Sequence, residues 1–332
     1  MEERKTLTIA FAGDVMLGRL VNEAIAVMGP AYPWGDTLPL LREADLRIVN
    51  LECVISEKGR PWSKTPKAFH FRADPTAIET LKIAGIDAVA LANNHTLDFD
   101  EEGLLDMVSL LDEAGIAHTG AGRNLEEARR PAVILSRRGI RIGLVAFTDD
   151  MAEWQATVTR PGINHLPART DGLSLLCLKD SIQEARERDA DPVVVSAHWG
   201  PNIVRLPPPH FCAFARGVLD AGADIWHGHS AHLFQGIELY GDKPIMYDTG
   251  DFVDDYAVNP VERNDQSFIF YVKLIDGKID RLELVPTIVG ECQVNIAKGR
   301  QAQGILRRME RLCALMGTET KIVDKRLVIK VR

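Results

Sequence analysis

At 332 residues, 46% of them hydrophobic and 26% charged, the chain can bury one large α/β core, or a core with an appendage, and is neither disordered, fibrous nor coiled-coil. No apolar run reaches the roughly 18 residues needed to span a bilayer, and residues 1–5 lead directly into a strand-like segment with no signal-peptide core ahead of it. The net charge of −8 is uneven, because residues 285–332 hold ten Lys/Arg against four Asp/Glu, making that stretch +6 and the remainder −14.

In chain order, strand-like apolar runs fall at 7–12, 46–51, 88–92, 142–147, 193–197, 223–226 and 244–247. Helical patterns lie between them, which is the signature of repeated βα units. Asp74-Pro75 reads as an N-cap followed by proline at the first helical position, and that helix closes at Gly85. Leu104, Leu105, Val108 and Leu111 recur at helical spacing over 100–114 before Gly115, and a helix over 209–221 ends likewise at Gly222. A β-meander over 268–288 turns at Asp276-Gly277-Lys278; a helix over 301–316 and a strand over 326–331 follow. A soft boundary near 290 divides a 6–290 domain from a basic C-terminal extension, 291–332, expected as a small α+β appendage.

The five cysteines (53, 177, 212, 292, 313) are scattered and show no CxxC spacing, so they read as reduced thiols of a soluble cytoplasmic protein. A basic tail can mark a nucleic-acid or membrane patch. Aromatics for stacking bases are absent from it, which argues against nucleic acid and leaves a basic face, exposed or docked on the acidic body.

The informative residues stand at the strand ends: Asp14, Glu52, Asn94-His95, Asp149, His198, and His229 with His232. Ligands of open α/β sheets bind outside the carboxyl ends of strands. Each residue alone has an ordinary structural explanation: Asp14 as a helix cap, Asn94 as a turn residue, His198 as a core imidazole. Together, carboxylates, an amide and imidazoles form a set suited to Zn, Mn, Fe or Co. His227 lies on the strand and reads as packing.

In order, Gly13-Asp14-Val15-Met16-Leu17-Gly18-Arg19, Asn50-Leu51-Glu52, Asn93-Asn94-His95, His198-Trp199-Gly200, Gly228-His229-Ser230-Ala231-His232 and Tyr247-Asp248-Thr249-Gly250-Asp251-Phe252 resemble the motifs of the poly-gamma-glutamate synthesis (capsule) CapA/PgsA family. That family is similar to the calcineurin-like metallophosphoesterases, so the resemblance implies a four-layer α/β/β/α sandwich and a mono- or dinuclear site for Mn, Zn or Fe. It implies Asp14 and His232 on a first metal, Asn94, His198 and His229 on a second, and Glu52 bridging both. His95 would act as general acid or oxyanion stabiliser and Arg19 would grip an anionic substrate. Asn93, Trp199, Asp248 and Asp251 would support the site or the substrate. This chain departs from the pattern at Met16, where metallophosphoesterases place a histidine ligand, and at Pro201-Asn202, Ala231 and Asp251.

The expected activity is metal-dependent hydrolysis of a γ-glutamyl or peptidic amide, or of a phosphoester, in an anionic small-molecule or peptidic substrate. The alternative is a non-catalytic accessory protein that binds an acidic peptide polymer during its synthesis. No G-x-S-x-G elbow and no phosphate-binding G-x-x-x-x-G-K-[ST] occurs, so serine hydrolysis and P-loop chemistry lack support.

Overall fold

The computed structural model describes residues 5–170 and 172–331. Its centre is a mixed sheet in which Thr6–Val15, Leu46–Leu51, Ala88–Ala90 and Ala117–Thr119 run parallel. Beside Thr6–Val15 the order continues antiparallel through Gln266–Ile275, Lys278–Gly290, Arg326–Lys330 and Lys321–Val323. A second, six-stranded sheet has Arg141–Thr148, Val193–His198, Ile225–His229 and Lys243–Met246 in parallel, with an antiparallel strand at each edge.

Period-two alternation explains how these strands bury both faces. Leu7, Ile9, Phe11, Leu46 and Ile48 share one apolar cluster with Leu144, Val194, Ile225 and Met246 of the other sheet. The intervening Ala10, Ala12, Val49 and Leu51 join helix residues Val21, Leu41, Leu81 and Leu104 in a second cluster. Val145, Phe147, Val195 and Ala197 join Leu178, Ile182, Phe214 and Val218 in a third.

Two local readings change. The helix that follows Pro75 spans Ala77–Ala84, and Asp74 does not cap it: its carboxylate accepts a hydrogen bond from Asn22 Nδ2 at 2.9 Å, tying the turn to the first helix. Residues from 291 onward do not stand apart. Gln293–Ile296 and Arg326–Lys330 pair with Lys278–Gly290, and Ile305, Leu306 and Met309 of the Gly299–Leu315 helix enter the cluster shared by the two sheets. The apolar face of that amphipathic helix decides its docking, whatever the charge on its other side. No helix among the described residues is long and apolar enough to cross a membrane.

Candidate metal centre

The carboxyl ends of the parallel strands in both sheets converge on one point. Two glycines permit it. A Cβ on Gly13 would lie 1.7 Å from the Gly250 carbonyl oxygen, and one on Gly228 would lie 2.0 Å from that of Tyr247, so only glycine lets the strands pass the 247–251 loop. The ladder between Thr6–Val15 and Leu46–Leu51 pairs Phe11 with Ile48 and then Asp14 with Asn50, a bulge of one residue that re-aims Asp14. Asp251 lies directly opposite Asp14 in a parallel pairing. His198 and His229 are the last residues of neighbouring strands and sit in register.

Two groups of side chains result, each with its candidate ligand atoms within 4.8 Å of one another: Asp14, His198 and His229, and Asp14, Glu52, His232 and Asp251. Asp14 is the member common to both. Its Oδ1 lies 3.6 Å from His229 Nδ1, and its Oδ2 lies 3.8 Å from His232 Nδ1. His198 Nδ1 and His229 Nδ1 are 3.0 Å apart, and His198 Nε2 is 3.9 Å from Glu52 Oε1. Asn94 contributes a buried Oδ1 with no partner, while its carbonyl accepts from Lys67 Nζ at 2.6 Å.

Burial governs the protonation of the cluster. It drives His198 and His229 well below 6.5, so both imidazoles are neutral and able to ligate at pH 7. Burial, reinforced by the Glu52 carboxylate, lifts Asp14 well above its ordinary range, and burial lifts Glu52 to about 7. Burial acts against the charge on His232 too, but Asp251, Glu52 and Asp14 outweigh it and raise that imidazole.

These residues fit a divalent cation. Asp14 Oδ2, Glu52 Oε1, Asn94 Oδ1 and Asp251 Oδ2 are all buried without a hydrogen-bond donor. Such oxygens are costly unless a proton or a cation meets them, and mixed imidazole and carboxylate donors suit Zn, Mn or Fe.

Beside this cluster opens a cavity of 450 Å³, lined by Arg19, Lys67, Phe71, His95, His232 and Tyr256 among others. His95 stacks on Phe71 at 3.8 Å between ring centroids, and its Nδ1 is 2.6 Å from Asp98 Oδ2. Burial, with Lys67 close by, lowers the His95 pKa, and burial raises Asp98 to about 7, so at pH 7 that contact is a hydrogen bond with a neutral ring. Arg19, on the cavity wall, has its Nε 3.2 Å from Asp255 Oδ2.

Comparison with known proteins supplies the family. The model for "Bacterial capsule synthesis protein PGA_cap" matches residues 8–256. The chain belongs to the PGA_cap family.

A "Probable polyglutamine synthesis accessory protein" of Mycobacterium tuberculosis is 31% identical, over 94% of this chain and 92% of its own length. The "Capsule biosynthesis protein CapA" of Bacillus anthracis is 32% identical over 87% of this chain and 69% of its own. The "PGA biosynthesis protein CapA" of Bacillus subtilis is 28% identical, over 86% and 72%. The resemblance seen in the motifs is therefore shown at the level of the family.

Within this PGA_cap chain the remaining expected site residues take several places. Asn93 donates to Asn50 Oδ1 at 3.0 Å and to the Leu51 carbonyl at 2.8 Å, which fixes the loop carrying Asn94 and His95. Asp248 accepts from the amides of Ala231 and Gly250, both at 2.7 Å, and so shapes the turn that presents His232. Trp199 points away from the cleft into an apolar cluster with Phe211 and Trp226, its indole donating to the Tyr247 carbonyl at 3.0 Å. Met16 is wholly buried on the helix side, where its sulfur accepts from the Gly18 amide at 3.1 Å. Asp149 belongs to neither ligand group and accepts from the Gly200 amide at 3.0 Å. His227 shares a hydrogen bond with the Ala12 carbonyl at 3.0 Å, stitching the two sheets together.

Several contributors carried no strand-end signal. Asn50 donates to Asp14 Oδ1 at 2.7 Å, Tyr256 donates to Glu52 Oε2 at 3.0 Å, and Ser196 bonds His229 Nε2 at 2.9 Å. Asn50 is legible in the sequence as a neighbour of Glu52 in Asn50-Leu51-Glu52, whereas Tyr256 and Ser196 carry no local signal. Outer partners that orient a metal-ligating histidine are worth about 10–100-fold in metal affinity. Ser196→Ala is accordingly expected to weaken binding of Zn or Mn by about 10-fold or more while leaving the circular dichroism unchanged. Unaltered affinity in a metal titration would show that Ser196 does not orient His229.

Proposed function

We propose that this chain is a metal-dependent hydrolase that cleaves an amide bond, of γ-glutamyl or related type, in an acidic substrate. The observation that carries the reading is His95. It stands at the cavity beside the ligand groups, belongs to neither of them, and has Nδ1 committed to Asp98. Asp14, Glu52, Asn94, His198, His229, His232 and Asp251 are the residues that would hold one or two divalent cations, which would supply Lewis acidity and a nucleophile at neutral pH. His95 Nε2, left free as an acceptor in the tautomer that Asp98 holds, takes a proton from the attacking water and passes it to the leaving nitrogen as the C–N bond breaks. Arg19 and Lys67 draw in the anionic part of the substrate. Phe71 fixes the plane of His95.

The three apolar clusters support the finer architecture, a four-layer α/β/β/α sandwich: helices, large sheet, small sheet, helices. All five cysteines are unpaired, which supports a reducing, cytoplasmic setting. The accessory reading has one support, the description of the mycobacterial relative as a polyglutamine synthesis accessory protein.

The deciding measurement is a panel of γ-glutamyl anilides and aryl phosphates, run with added Mn or Zn and with chelator. Turnover of the anilides that needs metal, and that falls about 10²–10⁴-fold in His95→Ala with metal content retained, supports the proposal. Turnover confined to phosphates moves the bond to a phosphoester. A metal-loaded protein inert on both panels overturns the hydrolase reading in favour of the binding role.

A further inference from the structure

The metal cavity has an apolar side that its ligand chemistry does not explain. Phe69 and Ile203 come from separate stretches of chain, both line the cavity, and both stay exposed, by 62% and 42%. Large apolar side chains left uncovered around a cleft mark a surface kept free for a ligand.

Aromatic rings carry that side outward from the proton-transferring histidine. His95 stacks on Phe71 with 3.8 Å between centroids, and Phe71 stacks on Phe69 at 6.4 Å with 26° between the planes. Phe71 is buried and Phe69 exposed, so the row runs from His95 toward solvent. The Arg19 guanidinium braces it, 5.8 Å from the Phe69 centroid and 5.5 Å from that of Phe71, while its Nε meets the Asp255 carboxylate.

Ile203 is held in the cavity wall against its own preference. Its φ of 58° is left-handed, a region in which a β-branched side chain is crowded by its own backbone. The Ile203 amide donates to the Ala231 carbonyl at 2.9 Å, and Gln235 Nε2 donates to the Val204 carbonyl at 2.8 Å. Both partners flank His232, so the strained residue is pinned to the segment that carries a candidate ligand. Strain of this kind persists only where its surroundings over-determine it, and it collects at ligand clamps.

Position says which part of a substrate meets these side chains. The acyl group under attack faces the ligand cluster and the leaving nitrogen faces His95, so the group beyond that nitrogen lies along Phe71 and Phe69. An apolar side chain gains there by leaving water, whereas a carboxylate would give up hydration against the same carbon surfaces.

We infer that Phe69 and Ile203 form a subsite for an apolar side chain on the amine side of the attacked bond, so that the preferred substrate is a γ-glutamyl conjugate of an apolar amino acid rather than of a second glutamate. This rests on the proposed reading of the cavity for which group leaves, but the binding preference does not need turnover.

The test uses γ-glutamyl-leucine and γ-glutamyl-glutamate, which differ only in the side chain after the bond. With metal, wild-type kcat/KM is expected to favour the leucine peptide about 10-fold or more. Phe69→Ala and Ile203→Asn should each remove most of that advantage and leave γ-glutamyl-glutamate unaffected. Phe69 is exposed and asparagine accepts a left-handed backbone, so both variants should fold. Equilibrium dialysis of the two peptides against metal-free, full-length protein reads the same preference without catalysis. A wild-type protein that binds the leucine peptide better but hydrolyses neither counts against the hydrolase reading and supports the subsite. Absence of a leucine preference in both readouts overturns the inference, as does a preference that both variants keep.

Discussion

Exchanging Asp14 for asparagine is expected to strip the metal from the protein and take turnover with it. Asp14 is the carboxylate common to both ligand groups, so one substitution removes a negative charge from each. Asparagine keeps the size of the side chain and can still accept from Asn50 Nδ2, which meets Asp14 Oδ1 at 2.7 Å. The fold should therefore survive while the site fails. Loss of an outer partner alone costs about 10–100-fold in affinity, so removing a shared ligand should exceed about 100-fold. Elemental analysis after dialysis against trace metal reads this directly. Asp149→Asn is the control, since Asp149 stands just past a strand end of the other sheet but bonds only the Gly200 amide among the contacts described and belongs to neither group. Equal metal retention in Asp14→Asn and Asp149→Asn would contradict the site as built.

Metal-free protein is expected to lose stability as the pH rises above about 6.5, and divalent cations are expected to restore it. The sign follows from which state holds more protons. Above that pH an unfolded chain has deprotonated its carboxyls and most of its histidines. The fold, however, keeps protons on Asp14, which burial raises well above its ordinary value, on Glu52 at about 7, and on His232, where acidic neighbours overcome burial. The folded state binds more protons, so its stability falls as pH passes through those raised values. His198 and His229 work in the other direction and in another window. Burial lowers them, so they cost stability only below about 6.5, where the unfolded chain takes up protons that the fold refuses.

Glu52, raised from 4.5 to about 7, gives up most of its roughly 3 kcal/mol below pH 6.5 and about 1 kcal/mol above it, where Asp14 and His232 add their shares. A Tm decrease on the order of 5 °C between pH 6.5 and 8.5 in chelator is the expected result. Zn or Mn at about 100 times its Kd should return about 2.7 kcal/mol at the higher pH. A flat or rising Tm over that interval in chelator, or one at pH 8.5 that does not respond to metal, would show that the buried carboxyls are not waiting for a cation.

What the sequence determined by itself is the alternation of strands with helices, the polar residue at each strand end, and the family that six ordered motifs specify. All of these are local: period-two apolar runs, glycine stops and short strings such as Asn93-Asn94-His95 carry their meaning within a few residues. Convergence is another matter, and only the tertiary structure decided it. The bulge before Asp14 selects the direction of its carboxylate, the pairing of Asp14 with Asp251 brings a carboxylate from a distant stretch of chain, and Tyr256 reaches Glu52 across the cleft. Trp199 shares a motif with His198 yet alternation turns it to the opposite face, into packing. The C-terminal helix reads as a basic tail because charge is visible in composition, whereas the apolar stripe of Ile305, Leu306 and Met309 finds its partners only when the two sheets face each other.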